Sequence, residues 1–281
     1  MLSLTVLILA YNEEANIGRT LGALKFAPEV VILDSGSTDR TIEIAKSSHQ
    51  NVRVVHRAFD SHPNQWNFGL DQVTTEWVLT LDADYEVSPQ LAAEIGALGL
   101  DSKEIGYWAE FEYRIYGHPL RGSSYPARIV LFKRSQARYV DDGHTQTLWL
   151  KDMDGALRAP PKTETLTAEK LKLEGQRIGK LSGKIYHDDR KPLSRWIQEQ
   201  DRYARLEAEH LLGKPLDRLS SQDRLRRRVF FAAPAMFLYL LVGRGLILDG
   251  WPGWLYVAQR TIAELLLSMR LLIEKHQIEA K

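Results

Sequence analysis

The sequence LTLDADYEVSP, residues 79–89, joins an apolar run to two aspartates that stand one residue apart. The run itself begins in EWVLTL at residue 76 and indicates a buried strand. Two carboxylates this close repel each other, and a divalent cation such as Mg²⁺ or Mn²⁺ removes the repulsion because carboxylate oxygens are its preferred ligands. The alternative is an acidic turn, or a helix cap ahead of residues 88–98. Asp82 and Asp84 favour the metal only if other polar strand ends lie beside them.

Strand-like and helix-like segments alternate four times in the first 85 or so residues. Apolar runs at residues 4–10, 30–33, 51–57 and 76–81 alternate with helical spacing at residues 14–24, 38–47 and 64–73. This alternation predicts an α/β fold with a mostly parallel, doubly wound sheet and flanking helices. Because ligands of such sheets bind at the carboxyl ends of the strands, we expect the site there.

Polar residues follow three of these predicted strands: YNEE at residues 11–14, DSGSTD at residues 34–39, and the Asp82–Asp84 pair. We expect Tyr11 on a nucleobase, Glu13 near a ribose, and Asp34 as an acceptor for a base or ribose. Ordinary βα turns explain the same residues, with Asp39 or Thr38 capping the next helix. Both interpretations hold together if Asp34 is functional and Asp39 is structural.

Two later stretches carry further candidates. YVDDGHTQ contains Asp141, Asp142 and His144, where a carboxylate would act as a general base on an acceptor hydroxyl. An Asp-Gly hairpin loop is the structural alternative. KIYHDDRKPLSRW contains His187, which would complete a metal or diphosphate site, and Arg190, which would contact phosphate oxygens, unless the segment is a charged surface loop.

The composition restricts the class of protein. The 281 residues are 44% hydrophobic and 26% charged, which is typical of a globular chain, and the net charge of +1 argues against a nucleic-acid partner. The absence of cysteine excludes disulfides and thiolate chemistry. We divide the chain into a catalytic domain, residues 1–200, and a C-terminal helical region, residues 201–281.

The C-terminal region predicts a membrane-interface appendage. Residues 229–242 are apolar but too few for a span of about 20 residues, and four arginines (Arg224, Arg226, Arg227 and Arg228) precede them. Residues 254–276 combine tryptophan with an apolar stripe, as interfacial helices do. We therefore expect peripheral, monotopic or re-entrant attachment within residues 229–273. A helical hairpin packed on the α/β domain, or a homo-oligomer interface, is the alternative.

Several motifs together resemble the inverting glycosyltransferases of family 2, which have the GT-A (Rossmann-like) fold. They are VLILAYNEEANIGRTL, VVILDSGSTDRT, NFGL, VLTLDADYEVSP, VDDGHT and RKPLSRW. RGSSYPARIVLFKR and HDDRKPLSRW resemble the bacterial subgroup that acts on lipopolysaccharide core. SRW is similar to the end of a motif of processive members, but Pro192 replaces its glutamine, so transfer of a single sugar is favoured.

The resemblance implies a role for each matching residue. Asp142, with Asp141 as its rival, would be the catalytic base, and Mg²⁺ or Mn²⁺ would be held by Asp84 and His187. The nucleotide-sugar would contact eight residues: Ala10, Tyr11, Glu13, Asp34, Gln65, Asp82, Asp84 and Arg128. Candidates for the diphosphate or acceptor are His144, Arg190, Arg195 and Trp196.

The resemblance also implies an activity and a place. We expect one sugar, from a UDP-hexose, to be transferred to a glycolipid or cell-envelope glycan with a β-linkage, at the cytoplasmic face of the inner membrane. Two alternatives remain: a nucleotidyltransferase of related fold, although AYNEEANIG is acidic where such enzymes need a basic Gly-rich loop, and an inactive sugar-nucleotide-binding or membrane-scaffold protein.

Overall fold

The computed structural model describes residues 3–99, 103–122, 125–141, 146–152, 154–159 and 177–276. The chain divides into two compact units. Unit 1 consists of residues 1–113 and 125–190, and unit 2 of residues 114–124 and 191–281. The expected boundary between a catalytic domain and a C-terminal region at residue 200 stays a prediction. In the structure, residue 200 lies inside a helix, Leu193–Gly213.

Unit 1 begins with the expected alternation of strands and helices. Its elements in chain order are β1 (Leu4–Ala10), α1 (Ile17–Gly22), β2 (Glu29–Asp34), α2 (Thr41–Ser48), β3 (Val52–His56), α3 (His62–Gln72), β4 (Trp77–Asp82), β5 (Tyr85–Val87) and α4 (Pro89–Ala97). The later strands are β6 (Gly106–Ile115), β7 (His118–Pro119, in unit 2), β8 (Arg128–Lys133), β9 (Ala137–Asp141), β10 (Gln146–Lys151), β11 (Leu157–Arg158) and β12 (Ile178–His187), with a 3-10 turn at Arg134–Gln136.

The main sheet has the strand order β3-β2-β1-β4-β8-β6-β12-β5. Strands β3, β2, β1 and β4 run parallel, so the predicted parallel α/β sheet is confirmed for the first half of the unit. Beyond β4 the sheet is mixed, because β8 is antiparallel to both neighbours and β5 is antiparallel to β12. Strands β9, β10 and β11 form a separate antiparallel sheet.

The apolar runs of β1 and β4 are buried because helices cover the parallel part of the sheet on both faces. Leu7 and Ile8 point to opposite faces of β1 and belong to different hydrophobic clusters. The larger cluster includes Ile17 and Leu21 of α1, and the other includes Trp66 of α3.

Unit 2 is helical. Its helices are α5 (Leu193–Gly213), α6 (Ser221–Arg226), α7 (Ala232–Leu238) and α8 (Gly250–His276), and π-helical residues Tyr239–Gly243 extend α7. Short 3-10 turns lie at Leu216–Arg218 and Leu246–Asp249. Ala204, Ala208 and Leu211 of α5 pack against Leu267 and Leu271 of α8.

Candidate functional site

The carboxyl ends of the first four strands lie side by side at one edge of the sheet. Ala10 at the end of β1 pairs with Asp34 at the end of β2, which pairs with His56 at the end of β3. On the other side of β1, Leu9 pairs with Asp82 at the end of β4. The structure therefore brings together the polar strand ends that the sequence singled out.

Asp34 organises the turn that follows β2. It is 1% exposed, and its carboxylate accepts hydrogen bonds from the backbone N–H of Gly36 (3.1 Å) and from the N–H and hydroxyl of Ser37 (3.1 and 2.5 Å). Gly36 has φ +96°, a left-handed conformation that glycine adopts without strain. His56 Nδ1 lies 3.1 Å from the same carboxylate. Direct contact between Asp34 and a nucleoside stays a prediction.

The turns after β1 and β2 are fastened to each other. Asn12, at φ 55°, accepts a hydrogen bond from the N–H of Thr38 (2.6 Å), while the Asn12 N–H donates to Ser37 Oγ (2.8 Å). The Glu13 N–H donates to Thr41 Oγ1 (2.6 Å). Tyr11, between these turns and β1, is 52% exposed, so its ring is accessible to a stacking ligand such as a nucleobase.

Helix α2 begins later than its pattern predicts. We expected it from residue 38 with Thr38 or Asp39 as its cap, but it starts at Thr41, and its N-cap position, Arg40, makes no side-chain capping bond. Asp39 instead accepts a hydrogen bond from the Thr41 N–H (3.0 Å) and contacts the Thr41 hydroxyl. The polar residues before Thr41 are held by the neighbouring turn, which delays the helix.

Asp84 and His187 meet between β5 and β12. Oδ2 of Asp84 lies 3.1 Å from Nε2 of His187, and both side chains are largely buried. The two residues come together because β12 pairs antiparallel with β5, with His187 opposite Tyr85. Three tyrosine rings surround the imidazole, at centroid distances of 4.5 to 5.1 Å: Tyr113, Tyr125 and Tyr85. Within the described parts of the chain, His187 Nδ1 is buried and has no hydrogen-bond partner.

The tyrosines beside this pair remain protonated at neutral pH. Burial raises the pKa of Tyr125 to about 12, and burial together with the charge of Asp82 raises the pKa of Tyr85 well above its usual value. The two hydroxyl groups contact each other. Arg128 is exposed and lies over the Tyr125 ring at 4.8 Å. The site thus combines carboxylates with neutral phenols and one guanidinium group.

The HDDR segment, residues 187–190, is not an ordinary surface loop. Asp188 is 1% exposed, and its carboxylate accepts two hydrogen bonds from Arg190 (2.7 and 3.0 Å) and one from Arg19 of α1 (3.4 Å). Buried Asn16 donates to Glu13 (3.0 Å) and to Asp189 (2.9 Å). This network ties the end of β12 to the turn after β1. Arg190 is consequently committed in large part to Asp188, while its contact with a diphosphate stays a prediction.

Helix α3 supports two other parts of the site. Gln65 is completely buried and donates to Ser35 Oγ (2.9 Å) and to the Arg57 carbonyl (3.0 Å), so it joins the turns after β2 and β3. Asn67 accepts from the Tyr139 N–H (3.0 Å) and donates to the Tyr139 carbonyl (2.8 Å). This two-point contact holds β9, the strand that ends at Asp141.

The remaining candidates are placed only in part. The backbone of Asp141 ends β9 and pairs with that of Gln146 in β10, as a hairpin requires. Asp142 and His144 lie outside the described residues. Arg195 and Trp196 belong to unit 2, where Arg195 donates to Glu199 (3.1 Å).

The side chains of Asp82, Asp84 and His187 suit a hard divalent cation that takes its other ligands from phosphate oxygens. Across the described residues, no group of three Asp, Glu or His side chains is arranged to hold a metal without help. The Asp84 carboxylate and the His187 imidazole are nevertheless already adjacent, and Asp82 lies two residues from Asp84. Mg²⁺ commonly binds one or two carboxylates and substrate phosphates, so these residues fit Mg²⁺ or Mn²⁺ in the presence of a diphosphate.

Sequence reasoning missed the residues that position the site, namely Asn16, Arg19, Asn67, Glu86, Tyr113 and Tyr125. Arg19 lies between Asp188 and Glu86 and contacts both carboxylates. Asn16 and Asn67 stood within the quoted motifs VLILAYNEEANIGRTL and NFGL, so their place in the sequence was noted but their contacts were not.

Comparison with known proteins identifies the class of the N-terminal region. Residues 5–106 match the family model described as Glycosyl transferase family 2. These residues contain β1 to α4, with Asp34, Asp82 and Asp84 at the strand ends. This region therefore matches the family 2 glycosyltransferases, and the resemblance stated from the motifs is confirmed for it.

Two relatives support the same class. The lipopolysaccharide core biosynthesis glycosyltransferase LpsC of Rhizobium meliloti is 31% identical over 144 residues, which cover 49% of this chain and 53% of LpsC. An uncharacterized glycosyltransferase of Rickettsia typhi is 34% identical over 96 residues, covering 34% of this chain and 32% of that protein. The chain thus spans about half or less of the length of these relatives.

The fold extends over more of the chain than the sequence similarity does. The solved structure of the mannosyltransferase PcManGT from Pyrobaculum calidifontis, in complex with GDP-Man and Mn²⁺, superposes with a TM-score of 0.50 at 16% identity. The alignment covers 97% of this chain and 88% of PcManGT. The expected GT-A fold is confirmed by this likeness.

Proposed function

We propose that this protein is an inverting glycosyltransferase that moves a single sugar from a nucleoside-diphosphate sugar to a hydroxyl group of a glycolipid or cell-envelope glycan. The observation that carries the proposal is the alignment of the strand ends, which gathers Tyr11, Asp34 and the Asp82–Asp84 pair at one edge of the sheet beside His187. The family 2 domain and the LpsC relationship support the reaction class and the envelope acceptor.

The parts of the site have complementary tasks. The exposed ring of Tyr11 stacks on the base, and the turns after β1 and β2 surround the ribose. Asp84 and His187 would hold a divalent cation, which would supply positive charge for the diphosphate leaving group. Asp142, or its neighbour Asp141, takes the proton of the acceptor hydroxyl.

Inversion follows from a single displacement at the anomeric carbon. The acceptor oxygen attacks from the face opposite the diphosphate, so an α-linked donor gives a β-linked product. A UDP-hexose is the proposed donor, and the departing group is the nucleoside diphosphate. Without acceptor, water replaces the hydroxyl slowly and the same diphosphate is released.

Asp84→Asn tests the site. Asparagine still presents an oxygen to His187, so the fold should persist, whereas the charge that attracts the cation is lost. Calorimetry with UDP-hexoses and Mn²⁺ should show metal-dependent binding to the wild type and none to Asp84→Asn. Asp71→Asn, which alters an exposed pair with Arg138, is the matched control and should bind normally.

Equal donor binding by wild type and Asp84→Asn, with and without chelator, would show that the site is assigned wrongly. The product of turnover separates the enzyme classes. Release of nucleoside diphosphate from the donor supports sugar transfer, whereas release of pyrophosphate from a nucleoside triphosphate would replace the proposal with a nucleotidyltransferase. A protein that binds donor but never turns it over would be the inactive sugar-nucleotide-binding protein.

A further inference from the structure

Helix α8 carries an exposed apolar stripe. Six residues at helical spacing are exposed, and all are apolar: Trp251, Trp254, Ala258, Ile262, Leu265 and Met269. We call this set the α8 stripe. It takes five steps to advance 18 residues, or 3.6 residues per step, so it runs straight along one face of the helix for about 27 Å.

Two charged residues of α8, Glu264 and Arg270, lie away from the stripe and contact other parts of unit 2. Glu264, which is buried, forms an ion pair with Arg226 (2.7 Å). Arg270 donates two hydrogen bonds to Asp201 of α5 (2.7 and 2.8 Å). The packed side of α8 also carries apolar residues, namely Tyr256, Val257, Leu267 and Leu271, so the helix is apolar on both its packed and its exposed side. A helix on the surface of a core in water normally exposes a charged or polar face instead.

A second apolar stripe precedes the first. Phe231, Pro234, Ala235, Leu238, Tyr239 and Val242 are exposed on one face of α7 and its π-helical extension. We call this set the α7 stripe. Ala232, Ala233, Leu240 and Leu241 occupy the buried side. The rings of Phe237 and Trp254 lie 6.3 Å apart, so α7 and the start of α8 adjoin.

Among the described helices, none is by itself long and apolar enough to cross a membrane. The segments Ala232–Gly243 and Leu246–His276 satisfy the same criterion jointly and are bent by 67°.

Charge identifies the occupant of this apolar surface. Exposed Arg228 precedes the α7 stripe, and exposed Arg244, whose Nε donates to the Gly122 carbonyl (2.9 Å), follows it. The sequence contains no Asp or Glu between Asp223 and Asp249, although it contains five arginines there. Such a surface matches anionic headgroups above an apolar layer, and tryptophan and tyrosine are the aromatic residues favoured at that boundary.

The structure corrects one expectation about this basic cluster. Arg226 pairs with Glu264, Glu207 and Asp223 and cannot serve as a lipid contact. Arg224 and Arg228 are exposed, so a lipid contact by these two residues stays a prediction.

A second copy of the chain fits less well. Two helices that supercoil around each other need a strict alternation of 3- and 4-residue steps between apolar positions, whereas the steps of the α8 stripe are 3, 4, 4, 3 and 4 residues, and the two adjoining 4-residue steps break that alternation. An acidic surface complementary to the arginines would also be needed on the partner, and the apolar stripes offer none. A flat bilayer surface requires only a straight apolar face.

We propose that the α7 and α8 stripes insert into the interfacial layer of an anionic lipid bilayer, with the arginines at the ends of the α7 stripe on the headgroups. The attachment is monotopic. The inference rests on unit 2 and is independent of the proposed activity, although a membrane-bound protein would meet a glycolipid acceptor at that surface. Its location at the cytoplasmic face of an inner membrane stays a prediction.

Flotation of the full chain with phosphatidylcholine vesicles, with and without phosphatidylglycerol, tests the proposal. The wild type should float with the anionic vesicles, less so at high salt. Leu265→Glu combined with Met269→Glu should lower the partition coefficient at least about tenfold, because two apolar side chains are lost and two negative charges added. Leu206→Glu is the matched control, since Leu206 is an exposed leucine on α5 outside both stripes, and should float like the wild type.

A second variant addresses the headgroups. Arg228→Glu should weaken binding to phosphatidylglycerol vesicles and leave residual binding to phosphatidylcholine unchanged, and Arg218→Glu, at an exposed site outside the stripes, should change neither. Equal flotation of the stripe variant and the wild type would overturn the proposal. So would a wild type that ignores vesicles and sediments as a dimer that Leu265→Glu with Met269→Glu dissociates.

Donor calorimetry separates this proposal from the proposed function. The stripe variant should bind UDP-hexose and Mn²⁺ like the wild type. Intact donor binding without flotation refutes the membrane contact alone, whereas flotation without any donor binding refutes the proposed activity alone.

Discussion

Replacing Gly183 with alanine should destabilise the protein by about 3 kcal/mol, because an added methyl group would collide with the backbone of a helix. Gly183 lies on β12, where α4 packs against it. A Cβ there would lie 2.3 Å from Leu91 N and 2.4 Å from Leu91 Cα. Backbone atoms cannot rotate away, so strand and helix would have to separate by about 1 Å to reach ordinary contact distance.

The magnitude combines two effects. Overpacking of a well-packed contact costs about 1–3 kcal/mol. The separation also stretches two hydrogen bonds, in which the N–H groups of Ser182 and Gly183 donate to Glu94 of α4 (2.8 and 3.1 Å). Each contributes about 0.5–1.5 kcal/mol, which brings the expected loss to about 3 kcal/mol. This corresponds to a fall in Tm of about 6–12 °C.

Urea unfolding followed by circular dichroism measures the loss, and donor calorimetry measures its consequence, because the same strand carries His187 to Asp84. Gly96→Ala is the matched control. It lies in α4 with no atom within 4 Å of an added Cβ, so alanine should stabilise the helix by about 0.5–1 kcal/mol. If the free energy of unfolding of Gly183→Ala lies within about 0.5 kcal/mol of the wild-type value, α4 does not approach β12 as closely as described.

Three further predictions concern the same region. Asp142→Asn should keep donor binding and reduce transfer by about 10²–10⁴-fold in a coupled assay. Normal transfer by Asp142→Asn, together with an inactive Asp141→Asn, would instead identify Asp141 as the base. Asn67→Ala removes both side-chain hydrogen bonds to the Tyr139 backbone and should lower the free energy of unfolding in urea by about 1–3 kcal/mol. Transfer should fall more than donor binding. A loss of stability no greater than that of Asp71→Asn would contradict the role of Asn67. Burial raises the pKa of Glu94, but hydrogen bonds from Gly183 and Ser182 outweigh it and lower the pKa below its usual 4.5. The stability that the Glu94 carboxylate contributes is therefore complete above pH 4.5 and is lost as the pH falls through the lowered pKa. Glu94→Gln should consequently reduce the fall in unfolding free energy at acid pH. An unchanged fall would refute this prediction.

Local pattern was sufficient for the first half of unit 1. The runs of β1, β2 and β4 are largely apolar because helices cover both of their faces, and the helices between them keep a 3.6-residue spacing. The same regularity predicted that the carboxyl ends of these strands meet at one edge of the sheet. Tyr11, Asp34, Asp82 and Asp84 could be chosen from the sequence for this reason.

Strand β12 escaped the sequence analysis although it carries His187. Its register against β6 shifts between Lys180 and Lys184, so its apolar residues do not alternate as a regular strand's would. Glycines at positions 179 and 183 weaken the pattern further, and each of them is there because a neighbour approaches closely.

The sequence by itself determined the parallel half of the sheet and the carboxylates that lie together at the ends of its strands, where the candidate site is, because strand and helix periodicities are local properties of the chain. Only the tertiary structure decided that His187 reaches Asp84, that Arg19 and Asn16 hold residues 188–189, and that Arg226 forms an ion pair with Glu264. These contacts join residues 38 to 173 positions apart, and no periodicity records a pairing over that distance. The α8 stripe was likewise visible as apolar residues in the sequence, but α8 has apolar residues on two sides, and only the packing of Leu267 and Leu271 showed which side is buried and which is exposed.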